Sequence, residues 1–210
     1  KLFFLILFIL IIIKTAWLYN NMHSNDFTYS FRIATFNITS ILTGTGFSSS
    51  NYNLWGSFGL VIMIIIMFIG GCAGSTTGGI KIFRLLLLFR GARTHIKKFT
   101  QPHGVFMTSF NGKSVTEEAF NSIMVFFFMY ILIFILASIA LSFFNLDFLT
   151  SFSAAASAIS NVGPGLGNEI GPNSNYSSLP STAKWILSFT MLIGRLELFT
   201  FLVILSISFW

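Results

Sequence analysis

Two short segments of the sequence combine the chemical groups that hold a dehydrated alkali cation. They are LTGTGFSSS, residues 42 to 50, and SNVGPGLGNE, residues 160 to 169. Both offer flexible glycines, small hydroxyl or amide side chains and several consecutive backbone carbonyls, with no charge before Glu169. Carbonyl oxygens can replace the hydration shell of such a cation without binding it so tightly that it is unable to leave. Both segments are therefore candidate cation sites.

The composition is that of an integral membrane protein. Charged residues make up 9% of the chain, hydrophobic residues 54%, and Phe alone accounts for 27 of 210 residues, a balance that a water-soluble domain could not bury. A spanning helix needs roughly 20 mostly apolar residues. Four candidate spans result: 1 to 18, 54 to 69 with 80 to 90, 119 to 144 and 183 to 210. The opening run resembles a signal peptide, but no small-residue cleavage site follows it, so we interpret it as part of a spanning helix in a longer protein.

The basic residues predict the orientation in the membrane. Seven of the twelve lie between residues 81 and 113, which places 91 to 117 in the cytoplasm and both 19 to 53 and 145 to 182 outside. Trp17, Trp55 and Trp185 then mark an aromatic belt on the outer side. The net charge of +6 follows from this cytoplasmic concentration and does not indicate a nucleic-acid partner.

An internal repeat organises the chain. DFTYSFRIATFNI (26 to 38) matches DFLTSFSAAASAI (147 to 159) at an offset of 121, and MFIGG (67 to 71) matches MLIGR (191 to 195) at an offset of 124. Each copy reads as a long helix, a short helix with Asp26 or Asp147 as N-cap, a glycine turn and a long helix. The short helices, 27 to 41 and 148 to 159, cannot cross the bilayer, so we expect them to re-enter on the same side. Their C-terminal ends would direct partial negative charge at the turns.

The basic linker, residues 91 to 117, contains its own structural signals. Asn111-Gly112 predicts a two-residue hairpin turn, and Ser114 with Glu117 has capping-box spacing before the next helix. The linker is either a docking surface for a soluble partner or a simple connector.

Four motifs together resemble one family. TGTGF (43 to 47), GGCAGSTTGGIK (70 to 81), SNVGPGLG (160 to 167) and GRLELFT (194 to 200) are similar to the C-terminal half of a Trk/Ktr-superfamily potassium transporter of the TrkH type. The resemblance covers essentially the whole chain. It implies an all-α integral membrane fold, in which four helix, re-entrant pore helix, helix repeats build one potassium-channel-like pore around a pseudo-fourfold axis. Residues 1 to 90 would be the third repeat and residues 118 to 210 the fourth.

The resemblance also implies the filter residues and a preference for potassium over sodium. They are Thr43, Gly44, Thr45 and Gly46 in one repeat and Ser160, Asn161, Val162 and Gly163 in the other. This pairing uses an offset of 117, so it predicts a first pore helix longer by four residues, about one turn. A competing register pairs Gly44 with Gly165 and Gly46 with Gly167.

The glycine-rich segment 70 to 79 interrupts an apolar stretch. As one unbroken helix, residues 54 to 90 would extend about 55 Å, far beyond a ~30 Å hydrocarbon core. The break therefore lies within or near the inner half of the membrane, facing the water of the ion path. The resemblance implies a loop that obstructs the pore and moves to open it, formed by Gly70, Gly71, Gly74, Ser75, Thr76, Thr77, Gly78 and Gly79. The alternative, glycines that only let helices pack closely, requires fewer of them.

Arg195 is a cation expected deep in the membrane. It follows Trp185 by ten residues, about 15 Å along a helix, and intramembrane charges are functional candidates. We expect Arg195 to donate hydrogen bonds to loop carbonyls and to oppose cation passage until the loop shifts. The alternative is a structural ion pair with Glu197 of a neighbouring chain.

An enzyme is the main rival class, with Ser75 or Cys72 as an intramembrane nucleophile. It would need a base at the same depth, but His23, His95 and His103 all fall in segments expected to be aqueous, so we expect no enzyme. We expect potassium uptake by a multi-pass protein of the bacterial inner membrane, with potassium as the only metal, no cofactor and no nucleic acid. The resemblance implies a cytoplasmic nucleotide-binding regulatory subunit, and we expect a homodimer. The alternative is a non-conducting half-transporter or regulatory membrane subunit that needs the two missing repeats.

Overall fold

A computed structural model describes residues 2–21, 26–72, 74–101, 104, 106, 109–110 and 113–196. Two short helices of the 3-10 type, Tyr52–Leu54 and Tyr176–Ser178, accompany seven α-helices in these residues. The α-helices are α1 (Leu2–Asn21), α2 (Phe27–Leu42), α3 (Gly56–Phe68), α4 (Ile82–Thr100), α5 (Glu117–Ser142), α6 (Phe148–Ser160) and α7 (Ser181–Arg195). Strand β1 (Ile69–Gly70) pairs in parallel with β2 (Ile80–Lys81), and β3 (Ser109–Phe110) pairs antiparallel with β4 (Lys113–Ser114).

The helices follow the predicted repeat, which is an all-α membrane fold. Helices α1 and α5, of 20 and 26 residues, are long and apolar enough to cross a bilayer. Each precedes a short pore helix, α2 or α6. The broken pair α3 and α4 completes the first repeat, and α7 belongs to the second. Helix α4 continues to Thr100 and so enters the segment expected to be the linker, while the part of the last span beyond residue 196 lies outside the described residues.

The two pore helices begin differently. The Asp26 carboxylate accepts hydrogen bonds from the amides of Thr28 and Tyr29, at 2.9 and 3.4 Å, as an N-cap does. The prediction that Asp147 caps α6 is wrong, because its side chain makes no capping hydrogen bond.

Helix α6 lies at the centre of the packing. It contacts α3, α5 and α7, and its alanines at 154 to 156 and at 158 are fully buried. Small side chains let the surrounding helices approach its backbone closely. Helix α2 has 16 residues and α6 has 13, so the first pore helix is longer by three residues, where four were predicted.

The tryptophans do not form one exposed belt. Trp185 is 67% exposed, but Trp55 is only 3% exposed. The indole of Trp17 donates to the Trp55 carbonyl at 3.2 Å, and the ammonium of the buried Lys14 lies 4.9 Å from the centre of the Trp55 ring. Trp55 therefore anchors the start of α3 to α1 and does not present its ring at the protein surface.

The linker contains the predicted hairpin strands. Phe110 pairs with Lys113, which leaves two residues for the turn, Asn111 and Gly112, both outside the described residues. The prediction that Ser114 opens the next helix in a capping box is wrong. Ser114 belongs to β4, so α5 begins later, and the Thr116 hydroxyl caps it by accepting from the Ala119 amide at 3.3 Å.

Candidate cation site

The two glycine turns meet at the ends of the pore helices. Gly46 and Gly163 have φ values of 80° and 112°, a region that favours glycine. A Cβ atom on Gly163 would lie 3.9 Å from Gly46 Cα, and one on Gly46 would overlap the Val162 carbonyl oxygen. Gly44 lies beside the Asn161 carbonyl, 3.8 Å from its ideal Cβ position. An offset of 117 pairs Gly46 with Gly163 and Gly44 with Asn161.

The glycines of the competing register lie elsewhere. A Cβ atom on Gly165 would meet Ile170, and one on Gly167 would meet Thr150 of α6. The structure therefore brings Gly46 to Gly163 and not to Gly167.

The amides of both turns bond back to the pore helices. The Thr45 and Gly46 amides donate to the Ser40 carbonyl at 2.9 and 3.3 Å, and the Val162 amide donates to the Ser157 carbonyl at 3.0 Å. Within the part of the chain that the structure describes, the Gly163 carbonyl is the only one of the eight candidate filter carbonyls that accepts a hydrogen bond. The backbone N–H groups thus anchor the turns, while most of the candidate filter carbonyl oxygens accept no hydrogen bond from the described residues.

Side chains of the predicted site residues also serve the scaffold. The Thr43 hydroxyl donates to the Thr39 carbonyl at 2.7 Å, and the Asn161 amide donates to the Met191 carbonyl on α7 at 3.0 Å. The Ser160 hydroxyl lies 2.8 Å from the buried Tyr130 hydroxyl of α5. The groups of these residues that have no hydrogen-bond partner among the described residues are therefore mainly backbone carbonyl oxygens.

Hydrogen bonds across the outer surface of the turns join the two repeats. The Asn53 side-chain amide donates to the Gly167 carbonyl at 2.8 Å, and its oxygen accepts from the Gly167 amide at 3.2 Å. The Ser48 hydroxyl donates to the Pro172 carbonyl at 3.1 Å. The pair of bonds made by Asn53 imitates a backbone pairing and fixes the distance between the two turns.

The glycine-rich loop is a closed structure. Strands β1 and β2 pair Ile69 with Ile80 at its base. Inside the loop, the Thr77 hydroxyl accepts from the Gly71 amide at 2.9 Å and lies 2.6 Å from the Ser75 hydroxyl. The Ser75 hydroxyl also lies 2.7 Å from the Cys72 carbonyl, to which it donates. The hydroxyls predicted to face the ion path thus also replace part of the helical hydrogen bonding lost at the break.

The loop lies directly against the second glycine turn. A Cβ atom on Gly78 would overlap the Ser160 carbonyl, and the Thr77 methyl group lies 3.9 Å from the ideal Cβ position of Gly44. The structure also brings Arg195 to the loop, where its guanidinium donates to the Thr76 carbonyl. The alternative partner, Glu197, lies outside the described residues.

A cavity of about 260 Å³ opens beside the loop. Its lining includes residues 75 to 79 together with Lys81, Arg84 and Arg195. The guanidinium of Arg84 also lies 4.0 Å from the centre of the Phe126 ring. Positive charge therefore borders the space below the turns.

Among the described residues, the groups that the rival enzyme would require are not brought together. Cys72 is exposed, and Ser75 hydrogen bonds to loop groups. His95 lies on α4 with its ring 6.3 Å from that of Phe120, while His23 and His103 are outside the described residues. The described residues contain no group of three or more His, Cys, Asp or Glu that could hold a metal ion.

Two repeats of helix, re-entrant pore helix and helix, with their glycine turns in contact, define a membrane protein of the channel-like cation-transporter class. Residues 2–209 match the model of the TrkH family, described as a cation transport protein. The chain belongs to the TrkH family.

Curated relatives agree with this assignment. The Trk system potassium uptake protein TrkI of Halomonas elongata is 38% identical over 206 residues, which are 98% of this chain and 42% of that protein. TrkH of Escherichia coli K12 is 34% identical over 211 residues, covering 100% of this chain and 43% of that protein. These relatives are transporters and not enzymes, as expected from the sequence.

A solved structure shares the fold. The crystal structure of the potassium transporter TrkH from Vibrio parahaemolyticus matches with a TM-score of 0.90 and 33% identity, over 99% of this chain and 44% of that one. The chain therefore spans less than half the length of the relatives it matches.

Three residues that hold the turns in place were not predicted from the sequence: Asn53, Ser157 and Tyr176. One signal was available. The dipeptide Asn-Tyr occurs at 51–52 and at 175–176, an offset of 124, which is also the offset between MFIGG and MLIGR. Both copies begin a short 3-10 helix capped by the Asn side chain.

Proposed function

We propose that this chain supplies the third and fourth repeats of a potassium uptake pore. The filter would be formed by the carbonyls of Thr43, Gly44, Thr45 and Gly46 and of Ser160, Asn161, Val162 and Gly163. The observation that carries the proposal is the contact of Gly46 with Val162 and Gly163 at the ends of two re-entrant helices. The relatives are named potassium uptake proteins, which supports potassium as the substrate.

Electrostatics favours a cation at this position. The last turns of α2 and α6 point their partial negative charge at the glycine turns. Unused carbonyl oxygens add further dipoles, and a partly dehydrated cation is the ligand that such oxygens suit. Entry would be driven by the membrane potential, about 2.3 kcal/mol per charge per 100 mV.

The gate would consist of the loop residues Gly70, Gly71, Gly74, Ser75, Thr76, Thr77, Gly78 and Gly79 together with Arg195. Support comes from two contacts, that of Gly78 with the Ser160 carbonyl and that of Arg195 with the Thr76 carbonyl. The first supports a position of the loop next to the proposed filter. The second puts a cation beside the loop, where it would oppose the passage of potassium until the loop moves.

The proposed setting is the bacterial inner membrane, with several spans, where two copies would form a homodimer. A cytoplasmic nucleotide-binding regulatory subunit would bind the basic end of α4 and the hairpin that follows it. Support for this contact is the exposure of Arg93, Lys97 and Lys98 on the last turns of α4. Such a charged surface fits an acidic partner.

The alternative is that the chain alone does not conduct. Thr43 and Thr45 line an open groove of about 370 Å³ on the side of the pore helix α2. The first turn is thus uncovered on that side. A half-transporter, or a regulatory membrane subunit, would need two further repeats to cover it.

Rubidium uptake into liposomes containing the purified chain tests both proposals. The variant Gly163→Asp puts a carboxylate at the contact between the turns, so it should abolish uptake. Gly56→Asp is the matched control, because Gly56 also has a positive φ of 71° but nothing lies within 4 Å of its ideal Cβ position. The control should transport as the unchanged chain does.

Each result has a distinct meaning. Equal uptake by Gly163→Asp and Gly56→Asp would refute the filter assignment. No uptake by the unchanged chain would favour the alternative, and mixing it with a fragment carrying the first two repeats of a relative should then restore uptake.

A further inference from the structure

Tyr176 makes the hydrogen bond that distinguishes Gly163 from the other candidate filter residues. Its hydroxyl donates to the Gly163 carbonyl at 2.7 Å. On the other side of the same residue, the Gly163 amide donates to the Ser157 hydroxyl at 3.1 Å. Side chains from the pore helix and from the outer loop therefore hold this glycine from both sides.

The outer loop keeps the Tyr176 ring in place. The Asn175 side chain accepts from the Ser177 amide at 3.0 Å, and the Lys184 ammonium donates to the Ser177 carbonyl at 2.8 Å. The ring is half-buried and packs against the hydrophobic core. The hydroxyl is thus presented to Gly163 by a short helix that is itself anchored at both ends.

The phenol remains a donor at neutral pH. Burial raises the pKa of the Tyr176 phenol, and the nearby Ser157 hydroxyl opposes part of that shift. A carbonyl oxygen has two lone pairs, so Gly163 can accept from the phenol and still face a cation.

We infer that Tyr176 is a positioning residue that sets the cation preference of the filter through the Gly163 carbonyl. The inference rests on the proposed function. A carbonyl oxygen that accepts a hydrogen bond from a phenol presents a weaker electrostatic field to an ion. The strength of that field is one determinant of selectivity among alkali cations. A weaker field favours the larger ion, because potassium costs less to dehydrate than sodium. Loss of the phenol should therefore improve sodium acceptance relative to potassium.

The repeat supplies a matched comparison. Tyr52 occupies the equivalent place in the first repeat, after Asn51 as Tyr176 follows Asn175. Its ring is 1% exposed, and its hydroxyl has no hydrogen-bond partner among the described residues. The two tyrosines share a position in the repeat, but only Tyr176 contacts a filter carbonyl.

The experiment compares Tyr176→Phe with Tyr52→Phe, since both changes remove one oxygen and keep the ring. The first measurement is the ratio of initial rubidium and sodium uptake rates in liposomes containing each full chain. We expect Tyr176→Phe to lower this ratio on the order of fivefold, the effect of one hydrogen bond, and Tyr52→Phe to leave it unchanged. Hydrogen–deuterium exchange of the peptide covering residues 157 to 167 is the second measurement.

The exchange measurement is independent of transport. Faster exchange confined to this peptide in Tyr176→Phe supports the positioning role, even where the unchanged chain carries no ions and the proposed function fails. An unchanged uptake ratio in a conducting chain overturns the inference, and so does unchanged exchange in a non-conducting one. Faster exchange throughout the chain also overturns it, because the phenol would then stabilise the fold and not the filter.

Discussion

Replacing Gly46 by Ala tests the contact between the two turns most directly. Alanine at a φ of 80° costs about 1–2 kcal/mol in backbone strain. Its Cβ atom would also lie closer than 3.0 Å to the Val162 carbonyl oxygen and 3.1 Å from Pro164 Cδ. Overfilling of a packed site adds about 1–3 kcal/mol. We therefore expect a total loss of about 2–5 kcal/mol in the free energy of unfolding.

Gly74→Ala separates the two contributions. Gly74 has a φ of 83°, almost the same as Gly46, but nothing lies within 4 Å of its ideal Cβ position. It should lose only the strain. The difference of about 1–3 kcal/mol corresponds to roughly 2–12 °C in the unfolding temperature of a chain of this size.

The assay is thermal unfolding of the purified variants in detergent, followed by tryptophan fluorescence. Trp55 is buried in the same repeat and should report the transition. Rubidium uptake should also be lost in Gly46→Ala and kept in Gly56→Ala, because Gly56 has a positive φ of 71° with nothing within 4 Å of its ideal Cβ position and lies outside the proposed filter and gate. Equal unfolding temperatures for Gly46→Ala and Gly74→Ala would refute the argument that the Val162 carbonyl excludes a side chain at residue 46.

Three further predictions concern residues outside the turns. Arg195→Ala should raise rubidium uptake on the order of tenfold if its hydrogen bond to the loop contributes about 1.5 kcal/mol. Arg93→Ala, a change at an exposed residue, should leave rubidium uptake unchanged. Equal uptake by both variants would exclude the gating role. Asn53→Leu removes both hydrogen bonds to Gly167 and should lower the free energy of unfolding in urea by about 2 kcal/mol; an unchanged urea midpoint would contradict this. Lys14→Met should raise the unfolding temperature, because the Lys14 ammonium is buried with no hydrogen-bond partner among the described residues. The free-energy cost of burying this charge exceeds the gain from its contact with the Trp55 ring by about 1 kcal/mol. A lower unfolding temperature would show that the ring contacts outweigh that cost.

The lengths of the apolar runs and the internal repeat were enough to predict an all-α membrane fold. A long apolar run has few alternatives to a spanning helix, and the short runs after Asp26 and Asp147 are too short to span. The glycine-rich break was predictable for the same reason, since an unbroken helix would exceed the membrane thickness. The strand pair that closes the loop was not predicted, because two residues on each side carry no recognisable strand pattern.

The details that failed depend on the exact backbone path. Asp147 and Ser114 both have good capping chemistry, but capping requires the helix to begin at the right residue and the side chain to turn toward its first amides. Tryptophan is common at membrane interfaces, but the Trp55 side chain is packed inside the protein against Lys14. Asn53 and Tyr176 act through contacts more than ten residues away in sequence, and only the Asn-Tyr repeat hinted at them.

The strand pair at the base of the glycine loop has a mechanical consequence. Because Ile69 and Ile80 are paired side by side, the end of α3 and the start of α4 lie next to each other. The residues between them form a loop that projects from this junction. The loop can therefore change shape without altering the length of the span or its match to the bilayer. A force applied to the C-terminal end of α4 would reach this strand pair before it reaches the loop, so the same strand pair that separates the loop from the helices also transmits movements of α4 to it.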